Sequence, residues 1–266
     1  MLRLGGSLRS VRCFATATAA AVKKPITSGP NIVLVDAVRT PFAVSGTVFK
    51  DLWAVDLQRE ALKALIARTQ IPYKDIDHII CGTVIQECKT SNVAREAALQ
   101  AGIPDKARKA MLGMQKAKTA GDKLKIAYLR QYQYVAQDPK DQLLLSPAYV
   151  IPKLLDKAGL TLKDVDVFEI HEAFAGQVLA NLNALDSDYF CKEHMGRSGK
   201  FGRLPMEKIN NWGGSLSIGH PFGATGVRLA AHAAGRLKEE KGQYAVIAAC
   251  AAGGHGVGML VEAYNK

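Results

Sequence analysis

Two histidines and one cysteine lie where a side chain can act on a bound molecule. His171 opens HEAFA, directly after the run VDVFEI at 165–170. A polar group at the carboxyl end of a buried strand stands where open α/β sheets take up ligands. A lone strand-end histidine also serves simply as a locally hydrogen-bonded group. His220 lies within NNWGGSLSIGHPFGATG at 210–226, ahead of a helical pattern that runs to about Leu237. A helix N-terminus disfavours imidazolium and leaves a neutral ring able to act as a base. The string lacks the Gly-Lys-Ser/Thr ending of a phosphate loop and the spacing of a dinucleotide site. Cys250 closes the apolar run YAVIAAC and leads into AAGGHG at 251–256, before a last strand at 257–264. Alanine and glycine beside a thiol leave room for substrate, and the Gly253–Gly254 turn exposes backbone N–H groups suited to a developing oxyanion. Buried cysteine equally packs as a small hydrophobe. His255 is near in sequence, which does not make a dyad. Taken together, the two histidines and Cys250 point to acyl transfer through a thiol.

Alternating strands and helices must carry these residues. NIVLVD at 31–36 is fit for a buried strand. Leu52, Val55, Leu57, Leu62 and Leu65 repeat at helical spacing over 51–67. Residues 71–82, IPYKDIDHIICG, read as a turn entering a second strand, and 92–101 as a further helix. That order predicts an α/β protein with largely buried strands. The phrase recurs 89 residues later as LTLKDVDVFEIH at 160–171, aligning Lys74, Asp75 and Asp77 with Lys163, Asp164 and Asp166. The preceding helix repeats too, Leu65 matching Leu154. The chain therefore reads as a duplicated α/β unit.

The 266 residues have a globular composition, 48% hydrophobic and 22% charged, with no apolar run long enough to span a bilayer. The net charge of +11 is uneven: residues 1–35 contribute +5, residues 105–130 contribute +6, and the rest is neutral. A balanced body without an aromatic-lined basic groove or recognition motif argues against a nucleic-acid partner. Residues 1–21, MLRLGGSLRSVRCFATATAAA, are rich in arginine, serine and small apolar residues and lack acids, the pattern of a mitochondrial presequence. We assign 1–30 to that presequence and the body to the mitochondrial matrix. A reducing interior disfavours disulfides, and five cysteines without a C-x-x-C pair give no metal signature. Residues 106–118, KARKAMLGMQKAK, place Ala107, Ala110, Met111, Met114 and Ala117 on one helical face between lysines and arginines. That pattern suits either an interfacial helix against anionic lipid of the inner membrane or a solvated surface helix.

The strings GHPFGATG at 219–226 and CAAGGHG at 250–256 resemble the two C-terminal signatures of thiolases. HEAF at 171–174 resembles the third catalytic block of that family, which mostly begins with asparagine. The histidine, with NWGGS at 211–215, resembles the branch serving the mitochondrial trifunctional complex of fatty-acid β-oxidation. VRTPF at 38–42 and TSNVAR at 90–95 resemble the family's first half. The resemblance implies a thiolase-like α/β fold of two similar halves, with mostly buried sheets between helix layers. The halves would be 31–123, with a basic helix at 105–121, and 124–266. It implies thiolysis of 3-ketoacyl-CoA by CoA, with CoA as substrate and no cofactor. His220 would activate the nucleophile, and Cys250 would protonate the departing carbanion. His171 would hold a water in an oxyanion hole, while Phe174, Gly253 and Gly254 would line the substrate site. A second copy of the chain and the complex's alpha subunit are the implied protein partners.

One departure from the family matters more than any match. The family's nucleophilic cysteine follows the helix that ends in this chain near 101, but Ile103-Pro104 runs directly into Asp105-Lys106-Ala107-Arg108. No nucleophile is assigned: Cys13, Cys81, Cys88 and Cys191 all fall in the wrong context. The loop domain that binds much of CoA is also unrepresented near 121–124. The N-terminal half is therefore read as truncated, and thiolysis by this chain as impaired or absent.

Overall fold

A computed structural model of the chain describes residues 26, 31–85, 88–105 and 126–264. The expected presequence at 1–30, apart from residue 26, and the expected basic helix at 105–121, apart from residue 105, lie outside the described residues.

Among the described residues, five strands form one mixed sheet: β1 (Ile32–Leu34), β2 (Ala127–Ala136), β3 (Val167–Ile170), β4 (Tyr244–Ala251) and β5 (His255–Ala263), in the order β1-β2-β5-β4-β3. Only β3 and β4 run parallel; the other three pairings are antiparallel. The reason is local. The tight turn at 252–254 folds β5 straight back on β4, whereas β3 reaches β4 through a helical crossover, as parallel strands require.

Side-chain alternation splits the core into two layers. Phe168, Ile170, Val246, Ala248 and Leu260 face helices α4 (Ser146–Ala158), α5 (Ala175–Leu185) and α6 (Asp188–Met195). Val167, Ala245, Ile247 and Val261 face Leu229, Ala233, Ala234 and Leu237 of helix α8 (Thr225–Glu239). This period-two division is what a sheet buried on both faces demands. Short helices α3 (Pro139–Gln142) and α7 (Ser215–Ile218) complete this region.

The 89-residue repeat is real through its helix and turn. Helix α1 (Ala54–Thr69) ends on Gln70 in the left-handed region (φ 54°), and α4 ends on Gly159 at φ 68°, 89 residues on. The 3-10 turns Tyr73–Asp75 and Leu162–Asp164 keep the same offset. The copies then diverge. Residues 167–170 form fully buried β3, but 78–81 form no strand, contrary to expectation. A strand needs a ladder partner, and among the described residues no strand lies beside this segment. The first half instead gives its strand β1 to the second half's sheet and keeps α1 packed on α2 (Val93–Gln100). Arg59 joins the two helices through Gln100 at 3.1 Å. Asn92 caps α2, its side chain accepting from Arg95 N–H at 2.8 Å.

Candidate active site

The β3 end is built by an unusual clamp. Asn210 holds a left-handed backbone (φ 49°), which asparagine tolerates better than most residues. Its N–H donates to Phe168 O at 3.0 Å, extending the sheet by one bridge. Its side chain then accepts from Ile170 N–H and donates to Ile170 O, both at 2.8 Å, and also donates to Glu172 Oε1 at 2.6 Å. A single amide thus stands in for the strand that β3 lacks on this side. Glu172 Oε2 in turn accepts from Leu216 N–H at 3.1 Å, tying the HEAF turn to α7.

His171 follows directly. Its N–H donates to Ala248 O at 2.9 Å, so it continues the β3–β4 ladder, and the residue is buried. Its ring centroid lies 4.3 Å from that of His220. The ring's pKa is pushed down from 6.5 to about 4, chiefly by burial, then by His220 and Arg228. His171 Nδ1 is 3.1 Å from Ser215 Oγ.

His220 Nδ1 lies 2.7 Å from Thr225 Oγ1, the first residue of α8. Its pKa is also lowered, as expected, but through burial first and Arg228 second. A 3-10 turn, Phe222–Ala224, separates His220 from α8. The loop is fixed from the first half: Gly82 packs backbone to backbone on Gly223, and a Cβ on Gly82 would meet Gly223 O at 2.6 Å. This brings the segment bearing Cys81 against the His220 loop.

Cys250 sits inside β4, opposite Gly256, rather than in the turn. It is buried, and burial raises its thiol pKa. It lies two residues beyond Ala248, the partner of His171, so strand pairing brings the cysteine toward the same end of the sheet. Gly253 and Gly254 adopt φ of 82° and 78°, which side chains rarely tolerate, and Gly254 O accepts from Gln137 N–H at 3.0 Å. Phe174 is 64% exposed at the start of α5. Cys191 is a buried core residue whose Sγ contacts the Ala184 and Leu185 carbonyls.

Sequence reasoning missed the charges behind the histidines. The apparently apolar strand holds Glu169, fully buried beside fully buried Arg236, with Nη1 to Oε1 at 2.8 Å. Arg228, on the same helix, approaches Glu169 Oε2 at 3.9 Å. The signal was available: Glu169 alternates in phase with Val167, and Arg228, His232 and Arg236 recur every four residues on one face of α8.

The Thiolase, N-terminal domain family matches residues 32–116, and the Thiolase, C-terminal domain family matches 123–263. A probable 3-ketoacyl-CoA thiolase of Caenorhabditis elegans is 47% identical over 440 aligned positions, spanning 95% of this chain and 98% of the relative. A 266-residue chain cannot fill 440 positions, so the alignment opens large gaps in it. The mitochondrial trifunctional enzyme subunit beta of Homo sapiens is 34% identical, spanning 100% of this chain and 95% of the relative. The crystal structure of the Bacillus anthracis acetyl-CoA acetyltransferase superposes with a TM-score of 0.73, covering 88% of this chain and 99% of that one. At 19% identity, that likeness bears on the fold alone.

Proposed function

Because the chain belongs to the thiolase family, whose members are acyltransferases, we propose that it is a 3-ketoacyl-CoA thiolase of mitochondrial fatty-acid β-oxidation, impaired in this 266-residue form. The observation that carries the reading is the His171–His220 pair, 4.3 Å apart, both rings shifted toward neutrality. Neutral imidazole is the form that accepts a thiol proton or donates a hydrogen bond to an oxyanion. In the full reaction a cysteine thiolate attacks the 3-keto carbon and the C2–C3 bond breaks. Acetyl-CoA leaves as a carbanion and takes a proton, and CoA then collects the shortened acyl group. His220 activates the thiol, and Cys250, kept protonated by burial, supplies the carbanion's proton. His171 holds the oxyanion water, with Phe174, Gly253 and Gly254 lining the substrate site. CoA is a substrate, and no cofactor or metal is needed.

The nucleophile itself is missing from this arrangement. Purified chain given 3-ketoacyl-CoA and CoA should therefore show no measurable acetyl-CoA release. Turnover comparable to a complete thiolase would refute this and implicate Cys81, Cys88 or Cys250. Sequencing the transcript across the 104–105 junction should reveal coding sequence for a cysteine-bearing strand.

A second reading, a non-catalytic subunit, is favoured by one observation. Val44, Val48, Ile80, Val84 and Ile85 of the shortened first half are 66–81% exposed. Such apolar surface suits contact with a second copy or with the complex's alpha subunit. The basic segment 106–118 would then add contact with anionic inner-membrane lipid. This reading requires the 266-residue protein to accumulate stably in mitochondria with no longer coding form.

A further inference from the structure

Behind His171 lies a chain of polar contacts that the reaction above does not use. Ser215 Oγ, in a buried residue, lies 3.1 Å from His171 Nδ1 and accepts a hydrogen bond from Arg228 Nη2, also at 3.1 Å. Arg228 is itself buried, its Nη1 facing Glu169 Oε2 at 3.9 Å, while Arg236 anchors the other carboxylate oxygen.

We propose that Arg228 is a positioning residue: it fixes the Ser215 hydroxyl so that its proton points to His171 Nδ1, locking His171 as the Nε2–H tautomer.

The argument is one of donor and acceptor accounting. A serine hydroxyl has one proton and two lone pairs, and arginine only donates. Arg228 therefore takes a lone pair of Ser215 Oγ. Were His171 to carry its proton on Nδ1, Oγ would accept twice and its own proton would be left over in a buried position. An unsatisfied buried donor costs about 1–3 kcal/mol. Donation from Oγ to Nδ1 gives the hydroxyl proton a partner while Arg228 Nη2 keeps its acceptor. The guanidinium strengthens that donation by polarising the hydroxyl, as charge-assisted chains do. Its positive charge also opposes protonation of the ring, in the direction seen for His171. The result is an imidazole with its single proton on Nε2. Under the thiolase reading, on which this inference rests for its functional meaning, Nε2–H is the donor that the oxyanion water requires.

The test reads the tautomer itself and needs no turnover. The full 266-residue chain is labelled with 15N-histidine and examined by long-range 1H–15N correlation at pH 7.5, with His171 identified by the peaks lost in H171Q. The expected pattern is a single tautomer, with Nδ1 unprotonated and Nε2 protonated. In S215A and in R228M that pattern should give way to a mixture with protonated Nδ1, and S215T should restore it. If R228M does not fold, R228K serves: it keeps the charge facing Glu169 but loses the planar fork. A wild-type His171 protonated on Nδ1 overturns the proposal. So does a pure Nε2–H tautomer that survives in S215A and in both Arg228 variants. An inactive chain that shows the expected pattern supports the relay, since inactivity already follows from the missing nucleophile, and turnover comparable to a complete thiolase would count against the proposed function without touching the relay.

Discussion

Replacing Arg236 with methionine tests how much of the fold hangs on one buried charge pair. Arg236 and Glu169 are both 0% exposed. Beyond the 2.8 Å contact with Glu169, Arg236 Nη1 donates to Phe168 O at 3.3 Å and Nε donates to Glu240 Oε1 at 2.7 Å. The Glu240 end reaches solvent and contributes at most about 1 kcal/mol. Methionine keeps the stem's bulk, so cavity formation is minor. What remains is a buried carboxylate whose nearest remaining guanidinium, Arg228 Nη1 at 3.9 Å, lies beyond hydrogen-bond reach. Stranding one partner of a buried pair costs about 3–5 kcal/mol. In a protein of this size each kcal/mol moves Tm by about 2–4 °C, so R236M should melt about 6–20 °C below the parent. Urea titration at pH 7 reads the same loss as a lowered midpoint at unchanged m-value. R236M/E169L, which removes both charges, should recover most of the loss. A single-variant cost below about 1 kcal/mol, or a double variant no better than R236M, would refute the claim that the pair is desolvated and mutually dependent.

Two further outcomes follow from the site. His171 titrates near pH 4 in the folded state against 6.5 in the unfolded chain. Its contribution to stability is therefore complete above about pH 6.5 and lost as the pH falls toward 4. Urea midpoints measured across that window should slope more steeply for the parent than for H171N, and equal slopes would remove His171 as the cause. Gly223→Ala places a methyl against the Gly82 backbone, where nothing flexible can yield, and should cost about 1–3 kcal/mol. A G223A chain with unchanged stability and unchanged His220 NMR signals would mean that the Gly82–Gly223 contact does not fix the loop.

Much of this was legible from sequence because period and punctuation are local. The helix read at 92–101 is Val93–Gln100, and the strand read at 165–170 is Val167–Ile170. The turn repeat was visible because lysine and aspartate mark the same positions in both copies. Sheet direction was not legible: a buried run reads alike whether its neighbour is parallel or antiparallel, and the pairing of β1 with β2 joins residues nearly a hundred positions apart. Nor was the absence of a strand at 78–81, where the residues suit a strand but lack a partner. The histidines stood out because their motifs are contiguous. Arg228, Ser215 and Asn210 did not, because their roles arise only when β3, α7 and α8 converge.

The pairing of β1 with β2 carries a consequence for the chain's architecture. A strand from before residue 105 completes a sheet whose other members all come after 126. The two portions are therefore not severable pieces. A fragment beginning at 124 would present Ala127–Leu129 as a bare, apolar edge, an invitation to pair with another molecule. In the whole chain the leading segment docks on the trailing one and covers that edge. A three-residue ladder forms this seam, beside the Gly82–Gly223 contact, and selection on it would preserve Ile32, Val33 and Leu34 even in a chain that no longer performs chemistry.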